Sequence, residues 1–126
     1  MSIKTLPQAP MWERPAGMSF HLSPRALSSW NPQIVAAERD SDRSIGIYDP
    51  IGADYYTGEG VTSKRIAAAL RSMGKGPVVV NINSPGGDLF EGLAIYNLLR
   101  DHPGEVTVKV LGVAASAASI IAMAGD

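Results

Sequence analysis

Regular hydrophobic periodicity begins near Ile34 and runs to the last residue of the chain. Ile34 to Glu38 reads as a short strand, and Arg39-Asp40-Ser41-Asp42 as a polar turn. Ser44 to Tyr48 predicts a second strand with Ile45 and Ile47 on one face. Asp49-Pro50-Ile51-Gly52 ends it, because proline and glycine interrupt a ladder. A loop rich in tyrosine and glycine follows over residues 53–60. Thr62 or Ser63 then caps a helix to about Met73, in which Ile66, Ala69, Leu70 and Met73 recur at helical spacing. Val78 to Asn83 is a nearly unbroken β-branched run, the pattern of a strand covered on both faces in a parallel sheet. Ser84-Pro85-Gly86-Gly87 is a tight turn, and Asp88 starts a helix from Leu89 to about Asp101, closed by Pro103-Gly104. Glu105 to Leu111 alternates as a strand, Gly112 to Ala115 reads as a small-residue turn, and Ser116 opens a last helix. Strand alternating with helix predicts parallel βαβ units and an α/β fold.

Residues 1–33 break this order. They carry Pro7, Pro10, Pro15, Pro24 and Pro32, with Trp12, Phe20 and Trp30 at no regular period. Proline removes an amide donor and fixes φ, so an irregular arm is expected, its aromatics free to dock on a neighbouring subunit. Residues 34–126 form the domain proper.

Composition narrows the chemistry. With 126 residues and a net charge of -1, the chain suits one domain with no basic excess for nucleic acid. Cysteine is absent, which removes thiolate catalysis, disulfides and cysteine-held metal centres. No metal or cofactor is implied. The most apolar stretch, Val106 to Ala124, is interrupted by Lys109, Ser116 and Ser119, so no membrane span is expected. The N-terminal residues hold no apolar run of a secretory signal, and a cytoplasmic protein is the expectation.

In parallel α/β units, ligands bind beyond the carboxyl ends of the strands. Two loops leave such ends, Ser84 to Gly87 and Gly112 to Ser116. Each opens a helix and so presents free N–H groups. No GxxxxGK[ST] or GxGxxG occurs, so a phosphate loop is disfavoured. A bound carboxylate and a carbonyl oxygen becoming an oxyanion are the other candidate ligands. Ser116, flanked by small residues, would attack the acyl carbon, with the amide of Ala117 and one from the Gly86-Gly87 turn as donors. A serine at such a turn also serves as a plain helix N-cap.

Taken together, Asn81-Ile82-Asn83-Ser84-Pro85-Gly86-Gly87, Gly92-Leu93-Ala94-Ile95-Tyr96 and Gly112-Val113-Ala114-Ala115-Ser116-Ala117-Ala118-Ser119 resemble the ClpP family of serine peptidases. Within it, Ile47 to Gly52 and Gly112 to Ser119 look most like the phage head maturation (prohead) proteases. The resemblance implies the ClpP/crotonase ββα superhelix, present in part. It implies Ser116 as nucleophile, the Gly87 and Ala117 amides as oxyanion hole, and a polypeptide substrate cleaved through an acyl-enzyme. It further implies a homo-oligomeric ring, working with an ATPase unfoldase or, in phage members, on capsid or scaffold proteins in the host cytoplasm or procapsid.

The family's histidine and acid lie downstream of the serine, and no histidine follows Ser116. His102 ends a helix of about 13 residues, roughly 20 Å from its start, which puts it at the far edge of the sheet. His21 lies in the arm. Asp88 and Asp126 read as cap or surface carboxylates. The chain is therefore expected to be the N-terminal portion of a longer protease, with little activity alone. The alternatives are a serine–lysine protease of the signal-peptide-peptidase type using Lys64 or Lys75, a crotonase-like acyl-CoA enzyme, and a non-catalytic ring-forming assembly module.

Overall fold

The computed structural model describes residues 22–36, 42–53 and 60–126. Strands β1 (Ser44–Ile47), β2 (Val78–Ser84) and β3 (Val106–Ala114) form one parallel sheet in the order β1-β2-β3. Helix α1 (Pro24–Ser29) precedes the sheet, α2 (Ser63–Met73) and α3 (Leu89–Asp101) are its crossovers, and α4 (Ala117–Ala122) follows β3. The parallel βαβ expectation holds, with β2 central. None of the described helices is long and apolar enough to cross a membrane.

The crossover helices start where side chains satisfy their first amides. Thr62 accepts from the Arg65 N–H, and Asp88 accepts from the Phe90 and Glu91 N–H groups at 2.9 and 3.3 Å. Glu91 also receives the Ser63 N–H at 3.1 Å, which ties the first turn of α2 to that of α3. Helix α2 packs on α3, and α3 on α4. Close contact at the second pair needs Gly92, since a Cβ there would stand 2.9 Å from the Ala117 Cβ.

All of β1 and most of β2 are buried, as a covered parallel strand requires. Ile45, Ile47, Ile51, Val80, Ile82 and Ile121 are fully buried in one cluster. At about 1.5–3 kcal/mol for each such side chain, this cluster dominates the favourable side of folding. The outer edge of β3 is different. Val110 is 49% exposed, and a groove of about 520 Å³ runs from Glu105 past Val108 to Asp126.

Two expectations need correction. Gly112 to Ala114 is not a turn, because β3 runs on to Ala114. Ile82 pairs with Val110 and Ser84 with Ala114, so Asn83 stands opposite Leu111, Gly112 and Val113 in a bulge. The second correction concerns the arm. Residues 24–29 are helical, with Pro24 at the first position and Ser23 as N-cap. Trp30 is buried and its Nε1–H donates 3.0 Å to the Asn83 carbonyl, so this aromatic docks within its own chain. Ile34 to Ala36 are not in a strand. The rest of that expected strand and residues 39–41 of its turn, with Trp12, Phe20 and His21, lie outside the described residues, while Asp42 is in a turn as expected.

Candidate active site

The two loops foreseen at the sheet's carboxyl edge do meet, because β2 and β3 are hydrogen-bonded neighbours. Ser84 anchors the first loop. Its hydroxyl donates to the Asp49 carbonyl at 2.8 Å and accepts the Gly86 N–H at 3.2 Å, while its carbonyl receives the Ala115 N–H. Ile51 holds the next stretch like a short parallel strand. Its N–H donates to the Gly86 carbonyl at 2.8 Å, and its carbonyl accepts the Asp88 N–H at 2.9 Å. Backbone alternation then turns the intervening Gly87 N–H away from Ile51, and it makes no hydrogen bond among the described residues.

The second loop ends on a conformation that ordinary residues avoid. Ser116 has φ 51° and ψ −121° and is the one non-glycine residue of positive φ among those described. Such a backbone costs on the order of 1–3 kcal/mol and persists only where its surroundings enforce it. It is the sharp strand-to-helix turn that pushes a serine hydroxyl outward. Ser116 is exposed, and although it occupies the N-cap position of α4 its side chain makes no capping bond. The plain N-cap reading of this serine is therefore not what the structure holds. The Ala117 N–H, first in α4, is likewise without a hydrogen bond among the described residues.

Gly86 measures how closely the loops approach. With φ 101°, a Cβ on it would stand 2.6 Å from the Ala115 oxygen and 2.9 Å from the Ser116 Cβ. The structure thus brings an outward hydroxyl, the glycine pair and two unengaged amides to one place. A groove of about 350 Å³ borders Ser116 on one side, lined by Ser23, Arg25, Ala26 and Ser29 of the α1 region and by Val113, Ala115 and Ser116, but not by Gly86, Gly87 or Ala117.

The other candidates lie elsewhere. His102 caps the far end of α3 with its Nε2 2.7 Å from the Gly76 carbonyl, at the opposite edge of the sheet. Asp126 accepts the Val106 N–H at 2.8 Å at the start of β3, and Arg100 pairs with it. Asp88 caps α3. Lys75 precedes β2 at the edge remote from Ser116, and Lys64 is exposed in the first turn of α2. His21 is outside the described residues.

One structural residue of the site escaped the sequence reading. Asn83 is fully buried, its Nδ2–H donating to the Asn31 and Ile34 carbonyls at 2.6 and 3.0 Å and its Oδ1 accepting the Val113 N–H at 3.1 Å. It closes the β3 bulge that leads into Ser116. The available signal was polar Asn81 and Asn83 on alternate positions of an otherwise apolar central strand.

The molecule is thus an α/β protein with a serine presented at a strand-to-helix turn beside a glycine pair. A family model described as Clp protease matches residues 34–126, and the chain belongs to that family. It is similar to the ATP-dependent Clp protease proteolytic subunit of Deinococcus radiodurans, 31% identical over 104 residues, covering 75% of this chain and 51% of that protein. The corresponding subunit of Bdellovibrio bacteriovorus is 29% identical over 103 residues, covering 75% and 49%. The solved structure of ClpP1 from Listeria monocytogenes superimposes with a TM-score of 0.56 at 25% identity, over 67% of this chain and 47% of that one. The fold is ClpP-like, and the chain spans about half the length of these relatives.

Proposed function

We propose that this chain carries the nucleophile and oxyanion hole of a ClpP-type serine endopeptidase. The Ser116 Oγ adds to a peptide carbonyl, and the Gly87 and Ala117 N–H groups receive the negative oxygen. Collapse of the adduct expels the amine and leaves an acyl-serine, which water hydrolyses. The observation that carries the reading is the exposed, positive-φ Ser116 packed against Gly86. Each oxyanion donor is worth about 100–1,000-fold in rate. The proton leaving Ser116 needs a base within hydrogen-bond reach, and no described histidine offers one. The 126 residues alone are therefore expected to turn over little peptide.

The test compares this chain alone with the protein made from its whole reading frame, using a fluorogenic peptide and a fluorophosphonate probe. Cleavage by the whole protein, lost in Ser116→Ala, supports the reading. Cleavage that survives Ser116→Ala, or a folded oligomer of the whole protein that neither cleaves nor labels, overturns it, the latter in favour of an assembly module. Rapid stoichiometric labelling of the 126 residues alone would mean that a base lies within them.

The same reading gives the protein a polypeptide substrate, self-association into a ring, and an ATP-driven unfoldase partner, in keeping with relatives named as proteolytic subunits of an ATP-dependent protease. A finer reading, a phage head maturation protease acting on capsid or scaffold protein in the host cytoplasm or procapsid, is supported by the Ile47–Gly52 and Gly112–Ser119 segments alone. The relatives named above are bacterial Clp subunits. Cleavage of a co-expressed capsid protein by the whole protein without an ATPase would favour that branch.

A further inference from the structure

The α1 region is built onto the site. Leu22, Ala26 and Trp30 recur at four-residue spacing and are all buried, which fixes one face of α1 on the body of the protein. The Trp30 indole donates to the Asn83 carbonyl, and the Asn83 side chain holds the carbonyls of Asn31 and Ile34. These bonds clamp residues 30–34 to the end of β2, one residue before Ser84. The clamp leaves the opposite face of α1, with Ser23, Arg25 and Ser29, exposed along the groove that contains Ser116.

Charge in that groove is one-sided. Among the described residues Arg25 is the one ionisable side chain lining it, and its guanidinium makes no hydrogen bond or ion pair with any of them. Facing it, Val113 and Ala115 are apolar and uncharged. A peptide lying across Ser116 would bring a neighbouring side chain into this groove. A carboxylate there would meet an available guanidinium fork and two hydroxyls, whereas an ammonium would meet like charge.

We propose that residues 22–36 form one wall of the substrate groove and that Arg25 selects an acidic side chain close to the scissile bond. The proposal rests on the reading of Ser116 as nucleophile. It adds a substrate class, polypeptides cleaved beside aspartate or glutamate, and a specificity-determining residue.

The test reads binding and cleavage separately. Fluorescein-labelled, alanine-rich hexapeptides carrying a single Glu, Gln or Lys at each position are bound to the Ser116→Ala form of the whole protein and followed by anisotropy. At one position the Glu peptide should bind about 5–10-fold tighter than the Lys peptide, the size of a charge-assisted pair in a partly exposed groove. Arg25→Glu should invert that order, and Arg25→Lys should retain it. Equal binding of the Glu and Lys peptides, or an order that Arg25→Glu leaves unchanged, overturns the proposal. Cleavage of the same peptides by the unsubstituted protein reports on Ser116 independently. A charge preference without cleavage sinks the peptidase reading and keeps the subsite, while cleavage without a charge preference does the reverse.

Discussion

Replacing Ser116 by glycine and by alanine separates the backbone of the turn from the hydroxyl it carries. Both variants lose the nucleophile, so any difference between them belongs to the conformation at residue 116. Alanine retains a Cβ at φ 51° and keeps the strain, whereas glycine adopts that region freely. Relief of about 1–3 kcal/mol is expected from removing the Cβ. Against it stands the greater freedom glycine gives the unfolded chain, about 0.4–1 kcal/mol. Residue 116 lies outside the helical turn of α4, so no helix-propensity penalty enters. The balance favours Ser116→Gly over Ser116→Ala by about 0.5–2 kcal/mol. Urea unfolding followed by circular dichroism should show it as a higher midpoint for the glycine variant at equal slope. In a thermal scan the difference should be roughly 2–8 °C for a chain of this size. Should the glycine variant unfold first, with an unchanged slope, residue 116 is not strained and the outward presentation of its side chain loses its physical basis.

Two further outcomes test the supports of that turn. Gly86→Ala should destabilise by about 2 kcal/mol or more, through its positive φ and a Cβ set 2.6 Å from the Ala115 oxygen. In the whole protein it should slow fluorophosphonate labelling of Ser116 on the order of 100-fold, since displacement by about an ångström suffices for that loss. Asn83→Ala leaves the Asn31 and Ile34 carbonyls and the Val113 N–H without their partner in a buried setting, and should cost on the order of 3 kcal/mol in urea unfolding. A loss below about 1 kcal/mol would mean that water replaces the amide at no penalty.

How far the sequence could be read depended on whether a residue's partner was close along the chain. Helices α2 and α3 were legible nearly to the residue, because Thr62 and Asp88 cap amides three or fewer positions away. The paired loops at the sheet edge were legible from the βαβ order, since adjacent parallel strands must end on the same side. Gly112 to Ala114 were misread because small residues ordinarily signal a turn. Here they continue β3 through a bulge held by Asn83, whose bond to the Val113 N–H spans 30 positions. Helix α1 carried its own local signal, Ser23 before Pro24, which the surrounding prolines outweighed. The docking of Trp30 on Asn83 spans 53 positions and had no local signal.

The strain at Ser116 explains why so many of those distant bonds converge on one spot. A residue held at φ 51° relaxes unless both its neighbours are fixed. On its N-terminal side, the Val113 N–H is held by Asn83 and the Ala115 N–H by the Ser84 carbonyl. On its C-terminal side, Ala117 is fully buried and backs against Gly92 of α3, where a methyl group would collide. Ser84 in turn is bonded to the Asp49 carbonyl after β1, and Gly86 is bonded to Ile51. Strands β2 and β3, the segment that follows β1, and α3 therefore contribute to holding one backbone torsion. A rigid turn keeps the hydroxyl and the amides aligned without reorganisation when charge develops, and that is the condition under which oxyanion donors are most effective. On this argument Asn83, Ser84 and Gly92 are positioning residues. Changes at Ser84 and Gly92 should alter the rate of Ser116 acylation more than the binding of a peptide in the groove lined by α1, whereas a change at Asn83, which also clamps residues 30–34, should affect both.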